Sequence, residues 1–266
     1  MHFSFLIPTR GRPAALLNCI TSIFEMCDAP NLTEVIVYVD DDDKSYSDFN
    51  FSCCPNVKVV KGPRQVLSQC WNICAEHASG EFLFCFGDDV VVRTQGWDTL
   101  FLKRTNLVTD KIGFFFCDDG FWGARFAAHF CITRTWVDVI GRFVPPYFPS
   151  DYNDLWLDEI ANRIGRKFFV PGVLFEHLHP NFGKATLDQT HLERLERQAS
   201  SNLQELYQSL LSEREGEAEK LRSFTQTTLS VLMLKLETYF FKSRDHMIYF
   251  LKRLKNKTLR VVGMIS

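Results

Sequence analysis

The sequence predicts an α/β fold built on a mostly parallel sheet. Short apolar strands alternate with segments whose apolar residues recur at helical spacing, and short loops join them. Polar or acidic residues directly follow several strands, at the end where open parallel sheets bind ligands. No run of 18 apolar residues is present, so we expect no transmembrane helix.

The first half of the chain carries the regular alternation. Predicted strands cover 2–7, 34–39, 57–60 and the apolar segment that starts at Glu81. A helix follows Pro13, because proline suits a first helical turn and apolar residues recur at helical spacing after it. A second helix is predicted over 64–77, before the break at Ser79-Gly80.

The second half is less regular and ends in helices. We predict strands over 112–117, 128–133 and 167–175, and helices over 136–141, 153–165, 192–210 and 223–241. Gly165 is expected to cap its helix. The segment 242–260 holds seven basic residues and one acid. We therefore predict a catalytic domain over 1–185 and a helical C-terminal extension over 186–266.

Composition narrows the class of protein. The net charge of −2 argues against a surface that coats nucleic acid, and the hydrophobic content of 46% is ordinary for a globular chain. Nine cysteines without Cys-x-x-Cys spacing argue against a zinc site and against a disulfide framework. Reduced thiols and an N-terminus without a signal-peptide pattern predict a cytoplasmic location.

The most informative segment is the apolar strand that runs into Asp88 and Asp89. A buried strand has no structural need for two adjacent acids at its carboxyl end. Hard divalent cations prefer oxygen ligands and are commonly shared with substrate phosphates. The segment therefore predicts a metal–diphosphate site; the alternative is a polar turn with solvated aspartates.

Two other strand ends carry polar groups, Thr9-Arg10 and Asp40. In a parallel sheet these ends converge with Asp88-Asp89 on one crevice. Arginine suits a diphosphate, and a carboxylate can accept hydrogen bonds from a base or ribose. The chain has no Gly-x-Gly-x-x-Gly and no Gly-Lys-Ser/Thr loop, which argues against dinucleotide and P-loop sites.

With these motifs the sequence resembles the family 2 glycosyltransferases of the GT-A fold, over about 3–180. The resemblance implies a Rossmann-like, mostly parallel sheet. It also implies metal-dependent transfer of a sugar from a nucleotide-diphosphate sugar, with a UDP-sugar favoured, to an acceptor hydroxyl with inversion. The acceptor class is open among saccharide, lipid-linked saccharide, protein and modified nucleobase.

The resemblance also implies residue roles. Phe86-Gly87-Asp88-Asp89 stands where the family has Asp-x-Asp, with Gly87 replacing the first acid. Asp89 then becomes the metal ligand for Mn²⁺ or Mg²⁺, and His177 is preferred over His179 as a further ligand. The implied nucleotide-sugar-binding residues are Pro8, Thr9, Arg10, Arg12, Asp40, Arg64 and Asp88.

The acceptor side is implied by Asn153-Asp154, which is similar to a Glu-Asp pair in the family. Asp154 is therefore the expected general base, although Asn153 replaces the preceding Glu. Asp151 and Asp158 are competing candidates. Each of the two could instead be a solvated acid near a helix start, where a negative charge is favourable without any catalytic role. Trp122 is expected either to stack on a sugar face or to pack in the core or a lid.

Two rival functions stay open. A nucleotidyltransferase would use a related sheet but normally has a glycine- and lysine-rich first loop, which is absent here. The other rival is a non-catalytic nucleotide-sugar-binding module with a helical interaction tail. For that tail we weigh simple packing on the domain, self-association, nucleic-acid binding and contact with an anionic membrane surface, which would make the chain peripheral to a membrane.

Overall fold

The predicted α/β architecture is confirmed. A computed structural model describes residues 1–51, 56–180, 183–199 and 201–262. Within these ranges the strands are β1 Phe3–Thr9, β2 Thr33–Asp40, β3 Val57–Gly62, β4 Phe82–Cys85, β5 Val90–Val92, β6 Phe114–Asp118, β7 Phe130–Thr133 and β8 Lys167–His177. The described strands form one curled sheet in the order β3-β2-β1-β4-β7-β6-β8-β5.

The sheet is mostly parallel, as expected, with two reversed strands. β1 pairs in parallel with both β2 and β4, and β6 pairs in parallel with β8. β7 is antiparallel to its neighbours β4 and β6. The short strand β5 was not predicted; it pairs antiparallel with β8 and sets Val90 opposite His177. This pairing brings the segment after β4 beside the end of β8.

The helices follow the sequence prediction closely in the first 180 residues. They are α1 Pro13–Glu25, α2 Leu67–His77, α3 Trp97–Thr105, α4 Arg134–Ile140, α5 Asn153–Ile164, α6 Gln189–Ala199, α7 Leu203–Ser209, α8 Leu211–Arg222 and α9 Leu229–Val262. Gly165 caps α5 at φ 65°, a left-handed conformation that glycine adopts without steric cost. α3 was not predicted.

Two helix predictions are wrong in their bounds. The segment predicted as one helix over 192–210 is divided between α6, which ends at Ala199, and α7, which begins at Leu203. The segment predicted as a helix over 223–241 begins only at Leu229 and continues to Val262, so α9 also includes the basic segment. Its length follows from apolar residues that continue at helical spacing through Met247 and Leu251, with no proline or glycine to end the helix.

Two apolar clusters hold the sheet between helical layers. The first contains many of the phenylalanines, with Phe5 and Phe84 stacked at 4.5 Å between ring centroids and Trp97 packed edge-on 5.1 Å from Phe5. The second lies on the other side of the sheet and includes Trp136 and Trp156. Aromatic pairs of this kind contribute beyond the area that they bury.

The C-terminal helices belong to these clusters. Leu203 and Leu221 are buried in the second cluster, and Val231 and Leu234 are buried in the first. The Thr238 hydroxyl accepts a hydrogen bond from the backbone N–H of Phe169 in β8 at 2.9 Å. The division at residue 185 stays a prediction about domains, but the packing of α7 to α9 against the sheet layers is a feature of this structure.

The structure also bears on two expectations from composition. None of the helices within the described ranges is long and apolar enough to cross a membrane. The seven described cysteines are free and buried. Cys53 and Cys54 lie outside the described residues.

The packing of α8 leads to a stability prediction. Leu221→Ala should lower the free energy of unfolding by about 3 kcal/mol, because it removes a fully buried side chain from the second cluster. Urea unfolding followed by circular dichroism measures the change. Leu211→Ala, on the same helix but 41% exposed, is the matched control and should change stability by less than about 1 kcal/mol. Equal effects of the two variants would mean that α8 does not contribute to the domain core.

Candidate active site

The structure brings all ten predicted site residues to one cavity of about 780 Å³. The cavity opens at the carboxyl ends of β1, β2 and β4, where a parallel sheet is expected to bind its ligand. The ten residues are Pro8, Thr9, Arg10, Arg12, Asp40, Arg64, Asp88, Asp89, Asp154 and His177.

Asp88 is buried shortly after the end of β4. Residues at the end of β1 and in the loop that follows it donate hydrogen bonds to its carboxylate. The Thr9 hydroxyl donates to Asp88 Oδ2 at 2.6 Å, and Arg12 Nη1 donates to Asp88 Oδ1 at 3.1 Å. Burial and the negative charge of Asp89 nevertheless raise the pKa of Asp88 to about 6. Asp88 is therefore a carboxylate whose ionised form depends on nearby cations.

Asp89 faces His177. Its Oδ2 lies 3.4 Å from His177 Nε2, and its backbone carbonyl accepts from the N–H of Leu178 at 2.8 Å. The His129 ring packs edge-on against His177 at 4.6 Å. Burial alone would raise the pKa of Asp89, but the hydrogen bond to His177 and the nearby histidine and Arg12 groups hold this pKa below its usual range. Asp89 therefore stays ionised at neutral pH.

Gly87 leaves room for this arrangement. A Cβ atom at position 87 would lie 2.6 Å from Asp89 Oδ1 and 3.7 Å from its Cγ, inside ordinary contact distance for the oxygen. Any side chain at position 87 would thus displace the Asp89 carboxylate. The substitution of the first acid of the motif by glycine is consistent with Asp89 as the acid that faces His177.

The arginines of the cavity are paired with acids. Arg10 Nη1 lies 2.8 Å from Asp40 Oδ2, and the same guanidinium contacts Asp42. Arg64 is half exposed and pairs with Glu193 of α6. Burial raises the pKa of Asp40, and the contact with Arg10 offsets only part of that shift. These cations are thus positioned at the site before any ligand binds.

Asp154 lies in the first turn of α5 and lines the same cavity. Burial is the main cause that raises its pKa to about 6, and the charge of Asp151 adds to the shift. Of its competitors, Asp151 also lines the cavity but pairs with Arg194 at 2.9 Å. Asp158 is bound by Lys167 and by Asn162 and does not line the cavity.

Sequence analysis missed the contribution of α6. Asp188, just before this helix, accepts from Arg12 at 2.6 and 2.8 Å, and His191 Nδ1 lies 2.6 Å from Asp188. Arg194 reaches His179 at 3.2 Å. The spacing Asp188-x-x-His191 sets two polar groups at the start of α6, but no local signal indicated that this helix start returns to the cavity. The predicted extension thus supplies residues that line the cavity.

His129 was not predicted from the sequence, and His179 was predicted only as the less preferred metal ligand. His129 is partly buried, its buried Nε2 atom has no hydrogen-bond partner among the described residues, and withdrawal from water lowers its pKa to about 3. Burial and the nearby His177 lower the pKa of His179 to about 4. Both imidazoles are therefore neutral at physiological pH.

The residues partly fit a divalent cation. Among the described residues, no group of three or more His, Cys, Asp or Glu is arranged to hold a metal ion alone. Asp89 and His177 form a two-residue set with a carboxylate oxygen and an imidazole nitrogen on adjacent strand ends. Such an incomplete set suits a cation that takes further oxygens from substrate phosphates.

Residues 4–122 match the family model described as Glycosyl transferase family 2. Over these residues, somewhat less than half of its length, the chain is similar to that family. The predicted family resemblance and the predicted enzyme class, glycosyltransferase, are confirmed. A search of the curated proteins finds no match.

Solved structures of glycosyltransferases share the fold of this domain. TarS 1-349 of S. aureus in complex with UDP is 14% identical at a TM-score of 0.55, over 66% of this chain and 59% of that chain. The mannosyltransferase PcManGT of Pyrobaculum calidifontis, in complex with GDP-Man and Mn²⁺, is 13% identical at a TM-score of 0.53. The match covers 97% of this chain and 87% of that chain. GalNAc-T7 with UDP, GalNAc and Mn²⁺ is 14% identical at a TM-score of 0.55, over 67% of this chain and 44% of that chain. The predicted GT-A fold is confirmed.

The buried charges lead to a prediction for the glycosyltransferase domain. Arg12→Met should cost about 3 kcal/mol of unfolding free energy at pH 7, because Asp88 and Asp188 lose their shared cation. The deficit should shrink as the pH falls below about 6, where Asp88 takes up a proton and no longer needs compensation. Chemical denaturation at several pH values measures both effects.

The control for this prediction is Arg93→Met. Arg93 pairs with Glu176 at the surface and is half exposed, so its removal should change stability by at most about 1 kcal/mol, with no marked pH dependence. A deficit in Arg12→Met that stays constant between pH 7 and pH 5 would contradict the assignment of Arg12 as the compensating charge of Asp88.

Proposed function

We propose that this glycosyltransferase moves a sugar from a nucleotide-diphosphate sugar to an acceptor hydroxyl with inversion at the anomeric carbon. The observation that carries the proposal is the meeting of cations, the Asp88-Asp89 pair and Asp154 in one cavity at the carboxyl edge of the sheet. A UDP-sugar is the favoured donor. The structures of TarS with UDP and of GalNAc-T7 with UDP support this choice, whereas PcManGT with GDP-Man supports the wider class.

The residues proposed to bind the donor are assigned from the charges of their side chains. In the proposal Arg10, Arg12 and Arg64 bind the diphosphate, since guanidinium groups bind phosphate oxygens in a bidentate manner. Pro8 and Thr9, the last two residues of β1, are proposed to lie beneath the nucleotide. The buried acids Asp40 and Asp88 accept hydrogen bonds from the base, ribose or sugar.

The same proposal includes a divalent cation, Mn²⁺ or Mg²⁺, held by Asp89 and His177 together with diphosphate oxygens. When bound, such a cation neutralises the charge that develops on the departing nucleoside diphosphate. PcManGT and GalNAc-T7 were both crystallised with Mn²⁺, which supports the choice. His179 is the less favoured ligand because its ring nitrogen is engaged by Arg194.

Asp154 is proposed to take the proton from the acceptor hydroxyl. Its pKa of about 6 is high enough to accept a proton readily and low enough for the carboxylate to be ionised at neutral pH. A single base opposite the leaving group produces inversion. Asp158 is disfavoured because its carboxylate is bound to Lys167.

The acceptor is proposed to approach from a second cavity of about 910 Å³ that adjoins the first. Trp122 lines both cavities, and Phe121 and Tyr249 add aromatic surface to the second. Aromatic rings of this kind stack on sugar faces, which favours a saccharide acceptor. A cytoplasmic location belongs to the same proposal and is supported by the free cysteines.

One assay separates this function from its rivals. The purified chain is incubated with a panel of nucleotide sugars, with and without Mn²⁺, and the released products are identified. A glycosyltransferase hydrolyses its donor slowly to nucleoside diphosphate and free sugar. A parallel incubation with nucleoside triphosphates and sugar phosphates tests the first rival, because release of pyrophosphate there would indicate a nucleotidyltransferase. Calorimetric binding of a nucleotide sugar without turnover would indicate a non-catalytic module.

The metal assignment predicts the effect of Asp89→Ala. Mn²⁺-dependent turnover of the donor should fall by about 100-fold or more, because the charge on the leaving diphosphate loses its compensation. Asp41→Ala removes an exposed acid from the neighbouring turn and should leave turnover unchanged. The assignment is wrong if Asp89→Ala keeps the Mn²⁺ dependence of the parent chain.

The base assignment predicts the effect of Asp154→Asn and a pH profile. The variant should transfer sugar about 100-fold more slowly with little change in nucleotide affinity, whereas Asp151→Asn should keep most of the rate. In the parent chain the rate should fall about tenfold from pH 7 to pH 5, because an acid with a pKa near 6 is protonated over that range. A parent rate that is flat down to pH 5 would exclude Asp154 as the base.

A further inference from the structure

The long helix α9 has two apolar faces, of which the body of the protein covers one. Val231, Leu234 and Thr238 lie on the side that packs against the sheet layers and are buried. About 180° around the helix, at a repeat of 100° per residue, stands a second apolar row. It consists of Leu229, Met233, Leu236, Phe240, Met247 and Leu251, all of them exposed.

This second row, here called the outer row, is large for a water-exposed surface. Leu229 is 75% exposed, Leu236 71% and Phe240 63%. The row extends for about 33 Å along the helix, at 1.5 Å per residue. Leu232, Tyr239 and Phe250 widen it on one side. Monomeric proteins rarely leave a contiguous apolar patch of this size in water, so the row is expected to contact a partner.

Basic residues border the outer row. Lys235 and Lys242 follow one edge, at about 100–140° from its centre, and Arg244 stands at the other edge. The two acids between Leu229 and Leu251 are engaged elsewhere. Glu237 pairs with Arg104 of α3, and Asp245 pairs with Arg244 and accepts from the backbone N–H of Ala124. The net positive charge of the border therefore comes from Lys235 and Lys242, since Asp245 balances Arg244.

We propose that α9 docks through the outer row onto an anionic lipid bilayer. An apolar face bordered by Lys and Arg is the pattern of helices that lie in the plane of a membrane interface, with the apolar side chains among the acyl chains and the cations at anionic headgroups. α9 is among the helices that are too polar to cross a membrane, which fits a helix that lies on the surface.

A second copy of the chain is the competing partner for the outer row, and residues of α9 argue against it. Ser243 interrupts the row at the position where a paired helix would need an apolar contact. A second copy would also offer Lys235 and Lys242 no acidic partner from α9, because Glu237 and Asp245 are already paired with Arg104 and Arg244. Anionic headgroups would supply that negative charge.

Docking would place the second cavity close to the lipid surface. Ile248 and Tyr249 of α9 line that cavity, within one helix diameter, about 10 Å, of the outer row. This consequence rests on the proposed function, because it makes an acceptor held at the membrane accessible to the enzyme. The docking itself does not depend on it.

Vesicle flotation of the full chain tests the proposal. The chain should float with phosphatidylcholine vesicles that contain about one third phosphatidylglycerol, and much less with phosphatidylcholine alone. Lys235→Glu with Lys242→Glu should weaken anionic-vesicle binding by about tenfold or more. Lys58→Glu with Lys103→Glu makes the same change of net charge at other exposed sites and should bind like the parent chain.

A third variant tests the apolar contribution. Met233→Ser, Leu236→Ser and Phe240→Ser together should also abolish flotation, while circular dichroism and donor hydrolysis match the parent chain. Equal binding by the two charge variants, or equal binding of the parent chain to neutral and anionic vesicles, would overturn the proposal. So would a parent dimer in light scattering that the serine variant converts to a monomer, because the second copy would then be the occupant. Donor hydrolysis tests the proposed function separately.

Discussion

The burial of two adjacent carboxylates at the end of β4 is the constraint around which the site is built. Asp88 and Asp89 are both largely withdrawn from water, and uncompensated buried charges cost several kcal/mol. Compensation comes from separate parts of the chain: Thr9 ends β1, Arg12 lies in the loop after β1, and His177 ends β8. The sheet order is therefore tied to the site, because it brings those three groups to one point.

The arginines that we propose to bind the diphosphate are paired with acids in the structure. Arg10 is held by Asp40 and Asp42, and Arg12 is shared by Asp88 and Asp188. These ion pairs hold the guanidinium groups at the cavity and limit the entropy that a ligand must remove. A diphosphate that enters the cavity would exchange carboxylates for phosphate oxygens, so the site is organised before the donor arrives.

Local patterns were enough to predict most of the sheet and the core of the site. Strand and helix periodicity identified β1 to β4 and α1, α2 and α5, because each buries one face or both within a short segment. The polar residues at strand ends identified Arg10, Asp40, Asp88 and Asp89, since parallel strands direct their carboxyl ends to one edge. The resemblance added Asp154 and His177, which line the same cavity.

What the sequence by itself determined, then, is the class of fold and the acids and cations that converge on its ligand-binding edge. Tertiary structure alone decided the pairing of β5 with β8 that sets Asp89 beside His177, and the return of α6 over the site with Asp188 and His191. It also decided which side of α9 is covered. These contacts join residues far apart in the chain, so their cause is the shape and charge of the assembled core, and no local pattern contains that information.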